Sequence, residues 1–275
     1  MKLEEALEIV ALTNSGMVRA HNEDSIATEA ACGLVVLADG MGGYNAGEVA
    51  SGIAVEVTMS EITQPLQKSS PIKRDEETGE ELAVALLGRS IHKANASIYQ
   101  AAKSHTQYAG MGTTIVSALF YDNRVVVGHV GDSRLYRLRG ETLVSITRDH
   151  SLLQEQIDCG MISIENARHS QNKNLVTRAV GIDAELIPEI HLHDVQVGDI
   201  YLLCSDGLND MVEDDDIQGI LYAMQGNLPL AAEQLIQTAN DNGGRDNVSV
   251  ILVKVKHDFA QPRSWLAGLI DWFKE

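Results

Sequence analysis

Four aspartates stand where predicted strands begin, end or turn. Asp39 and Asp206 each end an apolar run and precede a glycine, Asp246 stands directly before the last apolar run, and Asp132 lies in a predicted hairpin turn. A buried carboxylate is costly unless a cation pairs with it, and a cage of oxygen atoms suits Mg²⁺ or Mn²⁺ better than Zn²⁺. The pattern predicts a site for hard divalent cations, the alternative being that these residues serve only as turn formers.

These residues are positioned by apolar runs that alternate with amphipathic runs. Strands are predicted at 7–13, 33–39, 113–121, 124–130, 133–139, 187–195, 199–205 and 247–255. Helices are predicted from period-3.6 patterns after residue 46 and at 87–101, 215–224 and 229–240. The proline-containing, mixed-charge segment 64–81 is expected to be an exposed linker, and the polar segment 149–178 an inserted surface segment. Tight turns between strands favour an α+β fold with antiparallel sheets in one domain.

The composition excludes several classes of function. With 21 Lys and Arg against 39 Asp and Glu, the net charge is −18, which argues against nucleic-acid binding and against attachment to an anionic membrane. The first residues carry acids where a signal peptide needs basic residues, so none is expected. No apolar run is long enough to span a membrane, and the three cysteines show no C-x-x-C spacing. We expect a cytoplasmic protein with reduced cysteines.

Six motifs that contain these acids occur in a fixed order. They are R-A-H-N-E-D-S (19–25), A-D-G-M-G-G (38–43), M-G-T-T (111–114), V-G-D-S-R-L-Y (130–136), C-S-D-G-L-N-D (204–210) and G-R-D-N-V-S-V-I-L (244–252). In this order the chain resembles the metal-dependent protein phosphatases (PPM family, type 2C), in their bacterial form. The resemblance implies a four-layer α-β-β-α sandwich of two antiparallel sheets, with a catalytic domain at 1–257, a flap at about 150–178 and a helical tail at 258–275.

The resemblance also implies a metal centre at one end of the sandwich. Asp39 would bridge two ions of Mn²⁺ or Mg²⁺, with Asp206 and Asp246 completing the ligands of the first ion and the Gly40 carbonyl binding the second ion. Glu23 would hold the second ion largely through water. Asp132 would hold a weaker third ion together with Asp206, and Arg19 would bind the substrate phosphate. Asp24, Asp210 and Asn247 match side chains that neighbour the metal ligands.

The implied reaction is attack on phosphorus by a hydroxide that bridges the two metals, with Arg19 and the ions stabilising the phosphoryl charge. Met41 stands where many eukaryotic members carry a histidine in this region, so a metal-bound water is the expected acid for the leaving group. The resemblance implies hydrolysis of phosphoserine and phosphothreonine in proteins, opposing a bacterial Ser/Thr kinase. The alternatives are an inactive metal-binding regulatory module of the same fold and a phosphatase of small phosphorylated molecules.

Several other polar residues are assigned structural roles. His191 and His193 share a strand face and could hold a metal, but without an evident third ligand they are expected to be surface residues. His150 is expected to order the base of the inserted segment, and His21 to have a packing or capping role. The acidic run 213–216 is expected to begin a helix. Ion pairing is expected for Arg134, Arg148, Arg178 and Arg245, although each could also contact substrate.

The C-terminal tail has an apolar pattern that the resemblance does not explain. Trp265 and Trp272 lie seven residues apart, with further apolar residues between and beside them, and Pro262 precedes them as a helix-starting residue. A helix here would either pack on its own domain or dock a partner or a second copy of the chain. Membrane-surface binding is disfavoured because few basic residues are present.

Overall fold

The computed structural model describes residues 2–43, 46–163, 166 and 175–261. Two antiparallel sheets form its centre. The first contains, in spatial order, β1 (Leu7–Asn14), β11 (Val248–Val255), β10 (Ile200–Cys204), β7 (Arg134–Arg139) and β8 (Thr142–Ser145). The second contains β2 (Asp24–Glu29), β3 (Leu34–Met41), β5 (Ile115–Tyr121), β6 (Arg124–Val130) and β9 (Glu189–Asp194), with the short β4 (Gly112–Thr113) paired to β3.

Helices pack around the sheets, and the longer ones cover the outer faces of both. They are α1 (Leu3–Ala6), α2 (Ala46–Leu66), α3 (Leu82–Ser104), α4 (Leu152–Asp158), α5 (Asp206–Asn209), α6 (Asp214–Ala223) and α7 (Leu228–Asp241), with a 3₁₀ turn at Thr106–Tyr108. Helices α2 and α3 pack on the second sheet, and α5, α6 and α7 pack on the first. This arrangement confirms the predicted four-layer α-β-β-α sandwich.

Alternation along the strands divides the core into three layers. In β3, Leu34 and Val36 face α2 and α3, whereas Val35 and Leu37 face the other sheet. Successive side chains of a strand point to opposite faces, so a strand buried on both sides reads as a continuous apolar run. The layer between the sheets contains an edge-to-face aromatic pair, Phe120 and Tyr201, with ring centroids 5.1 Å apart.

Local turn chemistry accounts for the predicted hairpin between β5 and β6. Asp122 and Asn123 both have positive φ, 47° and 52°. A two-residue hairpin of type I′ requires this conformation at both central positions, and Asp and Asn adopt it more readily than other non-glycine residues. The sequence pair therefore fixes the register in which Tyr121 faces Arg124.

The turn that carries Asp132 differs from the prediction. The strands on either side of it, β6 and β7, belong to different sheets, so the segment is a crossover and not a hairpin. Gly131 has φ +105°, and a Cβ there would lie 2.6 Å from the Thr114 side chain. Only a glycine can bring the chain this close while it changes sheets. The crossover carries Asp132 to the end of both sheets.

The linker begins later than predicted. Helix α2 continues through Pro65 to Leu66, because the proline stands in the last helical turn and the Pro65 carbonyl accepts hydrogen bonds from Lys68 and Ser69. The chain also packs beyond residue 257, since Phe259 is buried between the sheets and the Gln261 N–H donates to Asp122. Trp265, Trp272 and most of segment 164–174 lie outside the described residues. Within the described ranges, no helix is long and apolar enough to cross a membrane.

Candidate metal centre

Two carboxylates lie side by side at the end of the second sheet. Asp24 begins β2 and is the register partner of Asp39 near the end of β3. The backbone of Asp39 is fixed by the M-G-T-T segment: its N–H donates to Thr114 Oγ1 at 3.1 Å, and its carbonyl accepts from Thr113 Oγ1 at 2.8 Å. Opposed residues of antiparallel strands have Cβ atoms about 5 Å apart, so the register alone brings two acids together.

Serines from the other sheet hold Asp24. Its Oδ2 accepts hydrogen bonds from Ser205 Oγ at 2.8 Å and Ser249 Oγ at 2.6 Å, whereas its buried Oδ1 has no partner. Burial raises the pKa of Asp24 to about 6, and the two serine hydroxyls offset part of that effect. The sequence predicted Asp24 as a neighbour of the metal site and missed both serines, although each lies in a matched motif.

The first sheet contributes Asp206 and Asp246. Asp206 follows β10 and begins α5, and its Oδ1 is buried with no hydrogen-bond partner. Burial, followed by the charges of Asp132, Asp210 and Asp246, raises the pKa of Asp206 well above its usual range. Burial, followed by the charge of Asp24, acts in the same direction on the pKa of Asp39. Acids from both sheets therefore meet at one rim and repel one another.

Glu23 is held by the first turn of α2 and by Asn247. Its backbone N–H donates to Asn247 Oδ1 at 2.8 Å, and its carboxylate accepts the Gly47 N–H. A Cβ on Gly47 would lie 2.7 Å from Glu23 Oε1, and a Cβ on Gly40 would lie 2.1 Å from the Gly47 carbonyl. Two glycines thus allow β3, α2 and Glu23 to approach closely. Sequence reasoning missed Gly47, although a glycine so near a helix start was a usable signal.

Arg19 lies at the open side of the cluster. Its NH2 donates to Asp246 Oδ2 at 2.6 Å, and about half of its side chain is exposed. This pairing directs one carboxylate oxygen of Asp246 towards the arginine.

Asp132 and Asp210 extend the acidic rim towards the flap. Burial, followed by the charge of Asp149, raises the pKa of Asp132 to about 6. A groove of about 460 Å³ runs from Asp132 and Asp206 between the flap helix α4 and the start of α6. Its walls include the acids Asp149, Asp210, Glu213, Asp214 and Asp215.

The donor set fits divalent cations. Buried carboxylate oxygens without partners, at Asp24 and Asp206, and mutually raised pKa values describe a site whose acids the Arg19–Asp246 ion pair alone does not neutralise. Oxygen ligands are those that Mg²⁺ and Mn²⁺ prefer. The residues that would hold the ions are therefore among the rim acids, and the Gly40 carbonyl as a further ligand stays a prediction.

The other polar residues mostly follow the predictions. His150 Nδ1 accepts from the Gly131 N–H at 3.2 Å and the His150 carbonyl accepts from Thr177 N, so this residue ties down the flap base as predicted. Ion pairs are confirmed for three arginines, Arg134 with Asp149, Arg148 with Asp158 and Arg178 with Glu189. The acidic run does begin a helix, α6. For His191, the structure supplies the neighbours that the sequence did not reveal, Glu189 and His129.

Comparison with known proteins places this geometry in a family. The protein phosphatase 2C family matches residues 17–246. The serine/threonine protein phosphatase PstP of Mycobacterium tuberculosis is 37% identical over 268 residues, which are 96% of this chain and 48% of that protein. The serine/threonine phosphatase stp of Listeria welshimeri is 36% identical over 245 residues, covering 88% of this chain and 93% of that one.

A solved structure shows the same fold. The catalytic domain of PstP, crystallised with two manganese ions, superposes with a TM-score of 0.78 at 35% identity and covers 91% of this chain and 99% of that one. The chain spans about half the length of the full mycobacterial relative. The family match covers most of the sequence and includes the residues that form the rim of carboxylates. The chain belongs to the protein phosphatase 2C family.

Proposed function

We propose that this protein is a metal-dependent phosphatase that releases phosphate from phosphoserine and phosphothreonine in proteins. The observation that carries the proposal is the rim of buried carboxylates at the end of both sheets, with an exposed arginine beside it. A site that combines a cation cluster with an exposed guanidinium suits a dianionic phosphoryl group. The names of the relatives, serine/threonine phosphatases, support the substrate class.

We propose Mn²⁺ or Mg²⁺ as the cofactor, with two ions in the active site and a weaker third. Asp39, Asp206, Asp246 and the Gly40 carbonyl would be direct ligands, and Glu23 would act largely through water. Asp132 would contribute to the third ion. The two manganese ions in the PstP catalytic domain support this assignment. Divalent cations held there lower the pKa of a bound water and offset charge on the phosphoryl oxygens.

The protein's own residues orient these ligands. Asn247 links the loops of both sheets, since its Oδ1 accepts from Glu23 and its Nδ2 donates to the carbonyls of Ser15 and His21. Asp24 keeps the ends of β2, β10 and β11 together through two serine hydroxyls. Arg19, once released by Asp246, would bind the phosphate with two parallel N–H groups. The flap and α6 border the groove where the peptide would lie.

The proposed setting is a cytoplasmic signalling circuit in which a Ser/Thr kinase adds the phosphate and this protein removes it. All three cysteines are free thiols in the structure, which supports a reducing compartment. We also propose the segment 264–275 as a docking surface for a partner or a second copy, on the basis of its apolar sequence pattern.

The test is hydrolysis of p-nitrophenyl phosphate and of a phosphothreonine peptide with Mn²⁺, with EDTA, and by Asp206→Ala. The proposal requires turnover of the peptide with Mn²⁺ and its loss in the other two conditions. Turnover that survives EDTA contradicts a metal-dependent reaction. Absence of turnover with Mn²⁺, and with Mg²⁺ in its place, favours the regulatory module. Turnover of p-nitrophenyl phosphate alone favours the small-molecule phosphatase.

A further inference from the structure

A second group of potential metal ligands lies at the edge strand β9, outside the carboxylate rim. His129 on β6 is the register partner of Glu189 on β9, and His191 follows Glu189 by two residues on the same face. One ligand atom from each residue lies within 4.8 Å of the other two. In the part of the chain that the structure describes, this is the one set of three His, Cys, Asp or Glu side chains that approach so closely.

The hydrogen bonds of His129 leave one ring nitrogen available. His129 Nε2 lies 2.9 Å from the Arg148 carbonyl, an acceptor, so Nε2 carries the proton. Its Nδ1 then holds a lone pair, and this atom is buried without a partner in a side chain with no exposed surface. A metal-binding histidine commonly donates its other ring N–H to a backbone carbonyl, which orients the ring.

Glu189 shows the matching arrangement. His150 Nδ1 accepts from the Gly131 N–H, so His150 Nε2 is protonated and donates to Glu189 Oε1 at 3.0 Å. The other carboxylate oxygen, Oε2, lies 3.5 Å from His191 Nε2. Ligating carboxylates are also usually hydrogen-bonded through the oxygen that does not bind the metal. Both supporting contacts of a metal site are therefore already made.

The charges around the group favour a cation. Burial, the largest effect on His129, lowers the pKa of its ring. Arg178 approaches Glu189 Oε1 only to 3.7 Å, and both side chains are well exposed, so this ion pair is weak. Glu189 and His191 remain about 40% exposed, which leaves a path for an ion from solvent.

We propose that His129, Glu189 and His191 form a separate binding site for Zn²⁺, with His129 Nδ1, Glu189 Oε2 and His191 Nε2 as ligands and solvent in the fourth position. Two imidazoles and one carboxylate form a common zinc set, in contrast to the oxygen-only rim that suits Mn²⁺ and Mg²⁺. The ion would join the edge strand to β6. Through His150 and Gly131 it would also connect to the crossover that carries Asp132.

The experiment is isothermal titration of the full chain with Zn²⁺ in millimolar Mg²⁺, which competes with Zn²⁺ for the oxygen sites, with Co²⁺ absorption spectra as a second readout. Wild type is expected to bind one tight zinc equivalent and to give the intense visible bands of four-coordinate Co²⁺. His191→Gln should weaken that equivalent by about 100-fold or more, since even the loss of a supporting contact costs 10–100-fold. Glu189→Gln should behave likewise.

His92→Gln is the matched control, because His92 is an exposed histidine on α3. Its zinc binding should equal that of wild type. Mn²⁺-dependent turnover of p-nitrophenyl phosphate, or the circular dichroism spectrum if turnover is absent, verifies that each variant is folded. Wild type that binds no tight zinc in Mg²⁺ overturns the proposal, as does a folded His191→Gln protein that binds zinc and Co²⁺ as wild type does.

Discussion

At the scale of single residues, the raised pKa of Asp132 shows the effect of crowding acids at the rim without bound cations. Its pKa rises from 3.8 to about 6 because the carboxyl group is buried next to other acids. As pH rises, the unfolded chain loses this proton before the folded chain does. The group therefore stabilises the fold below about pH 4, and that contribution is lost as pH rises towards and through about 6.

Asp132→Asn removes this titration. In EDTA, we expect its free energy of unfolding to exceed that of wild type by roughly 2 to 3 kcal/mol at pH 8 and by much less at pH 4, since one pKa unit corresponds to about 1.4 kcal/mol. Urea denaturation at the two pH values measures the difference. If the difference in the free energy of unfolding between variant and wild type does not change with pH, burial does not raise the pKa of Asp132.

Arg19 is expected to act on substrate and not on metal. A charge-assisted hydrogen bond contributes about 1.5 to 3 kcal/mol, so Arg19→Ala should lower kcat/KM for a phosphothreonine peptide by about 10- to 100-fold, mainly through KM. Mn²⁺ affinity should not fall, because Asp246 loses the cation that competes for it. Arg245→Ala, an exposed arginine beside Asp246, is the control. Loss of Mn²⁺ affinity in Arg19→Ala would assign the residue a structural role instead.

At the scale of elements, the start of α2 is where helix propensity and site geometry conflict. Gly47→Ala gains helix propensity, but the new Cβ would lie 2.7 Å from Glu23 Oε1 and 2.8 Å from the Gly40 carbonyl carbon. We expect a loss of stability and at least about a tenfold loss of turnover, because a misplacement near 1 Å can cost about 100-fold in rate.

Gly52→Ala in the same helix is the matched control. A Cβ at Gly52 would meet no atom within 4 Å, so the substitution should stabilise the protein by about 0.5 to 1 kcal/mol and leave turnover unchanged. Thermal unfolding and peptide turnover of both variants measure these two effects. Equal gains in stability by both would contradict the close contact between α2, β3 and Glu23.

Sequence patterns predicted most elements because apolar alternation and turn residues act locally. The hairpin at Asp122 and Asn123, the helix α3 and the strand-end positions of Asp39 and Asp206 follow from such signals. The crossover at Gly131 was misread, since a tight turn between two strands looks the same whether the strands share a sheet or not.

The arrangement of the site was harder to predict, because it depends on contacts between residues that are far apart in the sequence. The motifs identified the acids, but the pairing of His129 with Glu189 joins β6 to β9, which are far apart in the sequence. Asp24 pairs with Asp39 in a hairpin of consecutive strands, and β2, its first strand, was not predicted. The serines that hold Asp24 come from β11 and the residue after β10, more than 180 positions away. No local pattern predicts such contacts.

At the scale of the whole molecule, the charge of −18 should oppose acidic substrates. The groove beside the rim carries acids as well. We expect kcat/KM for a phosphothreonine peptide with acidic flanks to rise with NaCl and that for a peptide with basic flanks to fall, each by up to about tenfold. Initial rates at fixed Mn²⁺ measure both. An identical salt response of the two peptides contradicts a long-range electrostatic effect.

The C-terminal segment has its own test. Deletion of residues 264–275 should leave thermal stability and p-nitrophenyl phosphate turnover nearly unchanged and should lower the mass in solution, if the segment joins two copies of the chain. Light scattering and thermal unfolding measure the two properties. A large loss of stability with no change in mass would show that the segment packs on its own domain, which excludes self-association through it.

The rim of carboxylates is the centre of the account, and its most direct test is phosphate release from a phosphothreonine peptide as Mn²⁺ is restored to metal-stripped protein. Wild type should be inactive without metal and recover saturably with Mn²⁺. Asp39→Asn, which keeps the side-chain size and removes the charge, should stay about 1,000-fold lower at every Mn²⁺ concentration, equivalent to about 4 kcal/mol. Release without metal, or recovery of Asp39→Asn along the wild-type curve, would contradict the account.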